Sequence, residues 1–336
     1  MKRSALAITI AAIVVAAGVA GYAIFRPQPA LVIFVADAYV GEADALSSGF
    51  HNATGISVDR PLGGGSYALA REIGQGDPAS VFISVALSTY NSTYLESRYS
   101  GWTVAFASDQ LVLAYSPAAN SSVKSIARLF NEAYGENASL YYQAFNELTS
   151  GSVKVGISNA SSDPAGLRAY LSLEAAGYLY GNNTTSYFVD RLAQHDSVAT
   201  ASNAAELVAP LEEGDIGFLY IYKSAAISKG LDYITLPYSL NFGNSSLAGF
   251  YSKFSYQTTS GIQYGMPIYL YISAVAGGTD PAASIRFVTY AIENNSMLSS
   301  FGLVPLKVSL LFNNTAPPAQ ILNLVSQGKI SYAGTI

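Results

Sequence analysis

The sequence predicts an α/β protein of two lobes, with mostly parallel strands, behind an apolar N-terminal helix. Three observations carry this. Short apolar or β-branched runs alternate with amphipathic helical stretches, the pattern of a sheet covered by helices. One such unit runs to about residue 112 and a second from about 113 to 260, after which a long strand and further helices follow. That order fits two lobes joined by crossing strands. Finally, Met1-Lys2-Arg3 precedes an apolar run from Ala5 to Phe25, closed by Arg26-Pro27. The run is long enough to cross a hydrocarbon core of about 30 Å, and its basic start favours a cytoplasmic N-terminus. It reads as an uncleaved signal anchor, with a cleaved signal peptide as the alternative because Ala16-Ala17-Gly18 is small.

The elements follow in order. Ala30 to Val35 is a β-branched strand, Glu42 to His51 a short amphipathic helix, and Ile56 to Val58 a second strand. Leu62-Gly63-Gly64-Gly65-Ser66 is a loop, followed by a helix through Leu69 and Ile73. Ser80 to Val85 is a third strand, and Phe106 to Tyr115 reads as one strong strand. Ile126 to Leu148 mixes helix and loop. Lys154 to Ile157 is a buried strand. It leads through a polar loop to Asp163-Pro164, a cap residue followed by a proline suited to the first helical turn. That helix runs to Ala176, before Gly177. Ala204 to Leu211 is helical, Ile216 to Tyr222 and Tyr233 to Leu236 are strands, and Ala225 to Gly230 is a short helix between them. Pro267 to Val275 is another buried strand. Pro281 to Glu293 is a helix capped by Asp280, with Ile285, Val288 and Ile292 on its inner face.

Composition narrows the function. Of 336 residues, 50% are hydrophobic and only 12% charged, about half the ~25% usual in globular chains. Tyrosine, serine, asparagine and threonine take over the polar surface, which suits an acidic exterior. The absence of cysteine and the presence of only two histidines argue against zinc sites, thiol nucleophiles and disulfides. His51 and His195 have no partner signature. A net charge of -5 leaves no basic stripe for nucleic acid. Asn-x-Ser/Thr sequons, among them Asn52, Asn91, Asn120, Asn137, Asn159, Asn183, Asn244 and Asn313, agree with export and glycosylation.

Few residues carry chemistry. Gly63 to Ser66 joins a strand to a helix and offers backbone amides and a hydroxyl to an anion. It equally reads as a turn with a serine cap. No Gly-Lys-Ser/Thr follows, so it is not a nucleotide loop. Asp163 is a helix cap or a ligand to a bound group, and both roles stay open. Tyr222 ends a strand and could direct its hydroxyl into a cleft. Glu212-Glu213-Gly214-Asp215 is a solvated acidic turn, and Ser224 is not a nucleophile elbow. No set of acids, bases or nucleophiles looks catalytic, which leaves a secreted hydrolase without support.

Several segments together resemble the archaeal tungstate/molybdate-binding proteins, extracellular solute-binding components of ABC transporters. They are Gly101 to Tyr115, Ser158 to Arg168 (SNASSDPAGLR), Gly214 to Phe254 with Ile-Tyr-Lys-Ser at 221–224, and Gly302 to Leu306. The resemblance covers nearly everything after the anchor. It implies a two-lobed periplasmic-binding-protein fold of type II with a ligand cleft between lobes. Residues 1–29 would be signal anchor and linker, 30–112 with 261–336 one lobe, and 113–260 the other. It implies capture of a tetrahedral oxyanion, tungstate or molybdate, for an ABC permease and its ATPase, with no cofactor and no catalysis. The protein would sit on the extracellular face of the membrane, held by its N-terminal helix. By the same resemblance, Ser66, Gly65 and Tyr222 bind the oxyanion, and Asp163 approaches its metal centre. Two positions depart. Val35-Ala36-Asp37-Ala38 lacks the serine donor found after the first strand of the family, and its second carboxylate falls on Ala204. Asp37 or Glu206 could substitute from nearby. The rival reading is an exported surface or sensor protein that keeps the fold but binds another anion or has lost transport.

Overall fold

A computed structural model describes residues 30–336 of the chain, Glu136 excepted. The predicted anchor lies outside the described residues. Among the described residues, no helix is long and apolar enough to cross a membrane.

The strands in chain order are β1 (Ile33–Ala36), β2 (Leu62–Gly64), β3 (Val81–Ser84), β4 (Trp102–Ser108), β5 (Leu111–Tyr115), β6 (Val155–Gly156) and β7 (Val198–Ala199). They continue with β8 (Phe218–Tyr222), β9 (Asp232–Thr235), β10 (Ser255–Thr258), β11 (Gly261–Tyr264), β12 (Tyr269–Ala274), β13 (Val304–Asn313) and β14 (Ile330–Gly334). Seven strands form one sheet in the order β14-β13-β4-β12-β3-β1-β2, and five form another in the order β7-β6-β8-β5-β9. β10 and β11 make a separate antiparallel hairpin.

The central strands explain why the sheets form. Every residue of β12 (YLYISA) and β8 (FLYIY) is buried. Strands covered on both faces need continuous apolar character rather than alternation. Helices supply the cover. The helix Pro164–Tyr180 starts on the Asp163 cap with proline in its first turn and buries most of its length.

The sheets are mixed rather than mostly parallel. β1 pairs in parallel with β2 and β3, but β12 lies antiparallel to both β3 and β4. The reason is topological: the chain returns from the second sheet and inserts β12 into the middle of the first. Phe106 to Tyr115 is two strands, not one. The run breaks at Asp109-Gln110, so β4 belongs to the first sheet and β5 to the second. The returning chain passes alongside, where the Asp109 amide donates to the Ile268 carbonyl.

Three local expectations need correction. Ile56 to Val58 makes only one isolated bridge, Val58 to Leu31. Pro61 follows without an N–H to extend the ladder. Part of the glycine loop is instead an edge strand, with Gly63 and Gly64 opposite Val35 and Ala36. The long helix also passes through Gly177 to Tyr180. At Gly177 a Cβ would lie 2.4 Å from the Thr184 carbonyl oxygen, so this glycine permits a close packing contact rather than ending the helix.

Candidate functional site

The ends of β1 and β8 face each other across the two sheets. Chain leaving β1 gives Asp37 and Ala38, and β8 ends on Tyr222. Between them lies a small cavity lined by Asp37, Ala165, Ala204, Ala205, Tyr222 and Lys229, among others.

Asp163 sits beside it, 2% exposed. Its Oδ1 accepts the Ala165 N–H at 3.0 Å, as a helix cap does. Its Oδ2 accepts the Ala204 N–H at 2.9 Å. Burial pushes its carboxyl above the ordinary range, while the Ala165 and Ala204 amides and nearby Arg168 pull the other way. So Asp163 caps its helix and also reaches the cavity wall. Each oxygen retains lone-pair capacity beyond the amide it accepts.

Tyr222 is buried, and its hydroxyl oxygen accepts an N–H of Arg168 at 2.8 Å. With its oxygen engaged by a cation, the hydroxyl hydrogen remains to donate elsewhere. Burial holds the phenol far above its ordinary value, so it serves as a neutral donor. The other arm of Arg168 donates to the Val85 carbonyl at 2.7 Å. Val85 follows β3, so this guanidinium ties the second sheet to the first. No acid forms an ion pair with it among the described residues.

Gly65 and Ser66 come from the other side. Gly65 is the cap position of the helix Ser66–Gly74, and Ser66 is its first residue. Ser66 is therefore not the cap that a turn reading suggests. A Cβ on Gly65 would fall 2.4 Å from the Ser162 carbonyl oxygen and 3.5 Å from the Asp163 Cβ. The neighbouring Tyr67 N–H donates to that same Ser162 carbonyl at 3.1 Å. Gly65 thus lies directly against the Asp163 loop. Ser66 is fully buried, and its Oγ accepts the Val85 N–H at 3.5 Å. The structure groups Asp163, Tyr222 and Gly65 around the cavity region, while Ser66 braces the Val85 peptide that Arg168 grips.

Asp37 crosses the cleft. Its Oδ2 accepts the Ala205 N–H at 3.2 Å. Burial and the Asp163 charge raise it to about 7, against the Ala205 and Ala38 amides and Lys229. Glu206 turns away and holds Ser202 and Asn203, so it takes no part in the cavity. His51 and His195 are exposed and bonded to backbone carbonyls. Among the described residues, no group of three or more His, Asp or Glu is placed to hold a metal ion.

The family model for bacterial extracellular solute-binding proteins matches residues 31–303. The chain belongs to that family. A solute-binding protein of Sulfurisphaera tokodaii is 38% identical to it over 314 residues, spanning 90% of this chain and 83% of the relative. The molybdate/tungstate-binding protein WtpA of Pyrococcus abyssi is 24% identical over 248 residues, spanning 68% of this chain and 69% of that protein. Among solved structures, the periplasmic molybdate-binding protein of Azotobacter vinelandii has a TM-score of 0.56 at 16% identity. That match spans 82% of this chain and 98% of the other, and it bears on the fold. The two sheets are the lobes of a periplasmic binding protein.

This solute-binding protein is therefore an extracellular binding component of an ABC importer, not an enzyme. Sequence reasoning picked out Asp163 and Tyr222 but gave Arg168 no role. Its signal was present: Arg168 lies one turn into a helix whose face is otherwise apolar. A cation there needs a partner, and the partners come from β8 and β3. The Ala204 and Ala205 amides were out of reach, because a backbone donor leaves no mark on residue type.

Proposed function

We propose that this solute-binding protein captures a small tetrahedral oxyanion, tungstate or molybdate, between its lobes and delivers it to an ABC permease and its ATPase. The lobes would comprise residues 30–112 with 261–336, and 113–260. The apolar run Ala5–Phe25 would tether them outside the cell. The observation that carries the reading is Asp163, buried beside the cavity with Tyr222 and the Ala204 and Ala205 amides. A neutral phenol suits oxyanion oxygens, as do the two backbone amides once the carboxylates now holding them give way. A buried carboxylate beside a simple anion would repel it. The same carboxylate attracts an oxyanion whose central metal accepts a further oxygen, which favours tungstate and molybdate. The names of WtpA and of the Azotobacter protein point the same way. Tyr222 and the Gly65–Ser66 segment would bind oxygens from opposite lobes, and Arg168 would hold the lobes closed on them.

Isothermal calorimetry on the purified full-length chain tests this. Binding of tungstate or molybdate, weakened more than about tenfold in Asp163→Ala, is expected. No heat and no thermal shift with either anion would reject the reading.

A further inference from the structure

Among the described residues, Asp37 is the one acidic side chain lining the cavity, and it precedes the helix Val40–Thr54 on the β1 side. Its Oδ2 accepts the Ala205 N–H, and the adjacent Ala204 N–H goes to Asp163 Oδ2. Consecutive amides of one turn are thus engaged by two carboxylates, one from each side of the cleft. An anion entering the cavity meets Asp37 first as a competitor for the Ala205 donor and then as a like charge.

We propose that Asp37 sets the anion specificity of this cleft by rejecting sulfate. The inference rests on the oxyanion reading above and adds which oxyanions are turned away. Sulfate carries no proton at neutral pH, and its sulfur accepts no fifth oxygen. To the Asp37 carboxylate, charged above about pH 7, it can offer neither a hydrogen bond nor a coordination position, so only repulsion remains. An oxyanion with an electrophilic centre, or with a hydroxyl hydrogen, turns the same contact into attraction. Rejection by a misplaced charge is how a site separates ligands of similar shape.

The surroundings set where that charge is present. Burial and Asp163, at the start of the helix Pro164–Tyr180, push Asp37 toward its protonated form, so the charge is full only above about pH 7, and Lys229, after the helix Lys223–Ser228, favours the charged form. Tyr222 at the end of β8 is neutral. Lys229 is exposed, so its compensation is screened by solvent.

The test compares sulfate with molybdate on the full-length chain above about pH 7, where Asp37 is charged. Asp37→Asn keeps an oxygen for the Ala205 N–H but removes the charge. Sulfate affinity should rise at least about tenfold in this variant, and molybdate affinity should change by less. Carrying the wild-type protein from about pH 8 to about pH 6, which protonates Asp37, should likewise raise sulfate affinity relative to molybdate, which keeps the test open if Asp37→Asn folds poorly. Wild-type protein that binds sulfate as tightly as molybdate overturns the inference. So does a ratio that neither Asp37→Asn nor the change of pH moves. If wild type and variants bind neither anion, the oxyanion reading itself fails, and this inference falls with it.

Discussion

Asp163 accepts the backbone N–H of Ala204, the position where the resembled family carries a second carboxylate. Losing that side chain leaves the amide in place, and the amide serves Asp163 directly. Asp163→Asn should therefore cost stability as well as binding. An asparagine turns an N–H toward one of the two amides that Asp163 now satisfies, leaving a buried donor unmet. A loss of about 1–3 kcal/mol is expected, read from the urea midpoint at constant slope.

How much of this was legible in the sequence depends on the kind of signal. Asp163-Pro164 announced a capped helix through residue types, and the helix begins there. The continuous apolar runs of β8 and β12 announced buried strands. The mixed pairing was not legible, because β12 joins the first sheet only through a long-range return that no local pattern encodes. The break at Asp109-Gln110 was marked by two polar residues inside an apolar run, yet a local reading absorbs them into one strand. At the site, Asp163 and Tyr222 stood out by type and place. Asp37 stands in the sequence as a departure from the resembled pattern, but its reach to Ala205 depends on how the first sheet lies against the second.

Arg168 should hold the closed state. It is buried, its partners lie on both sheets, and among the described residues no carboxylate pairs with it. Arg168→Lys keeps the charge but has one ammonium group for two partners set apart by a planar fork. Tyr222→Phe removes the hydroxyl that accepts one arm. Each should cost about 1–3 kcal/mol in denaturant unfolding. Both changes made together should cost less than the sum, because they break the same contact. Strict additivity in that double-mutant cycle would argue against a shared link.

Gly65→Ala addresses closure rather than folding. The glycine has φ −63°, so alanine is not strained there by its backbone. The obstacle is the Ser162 carbonyl oxygen across the cleft, 2.4 Å from the added Cβ. The lobes must separate locally to admit it. Ligand affinity should fall at least about tenfold while thermal stability stays within about 1 kcal/mol. Calorimetry and small-angle scattering with and without tungstate would read the two effects apart. A variant that compacts on ligand addition as the wild type does would refute the steric account.

The buried acids give the chain an inverted pH response. Burial raises Asp37 and Glu42 to about 7 and Asp109 to about 6. The ordinary values are 3.8 for aspartate and 4.5 for glutamate. Each group binds its proton more tightly folded than unfolded. Its contribution to stability is complete below the unfolded value and is lost as pH rises through the folded one. The chain should therefore gain stability as pH falls from about 7 to about 4, the reverse of ordinary acid unfolding. Asp109 makes the sharpest case. It lies where β4 gives way to β5, and its Oδ2 accepts the Tyr39 hydroxyl at 3.0 Å. Ser224 and the Gln110 amide also donate to it and oppose the rise. Asp109→Asn removes one titrating group while keeping an acceptor for Tyr39. It should flatten the stability curve between about pH 4 and about pH 6 by on the order of 2–3 kcal/mol. Thermal unfolding of wild type and variant across that range measures it. A wild-type melting temperature that falls steadily from neutral pH toward pH 4 would contradict the assignment, because the deprotonated acids would then be favoured by folding rather than disfavoured.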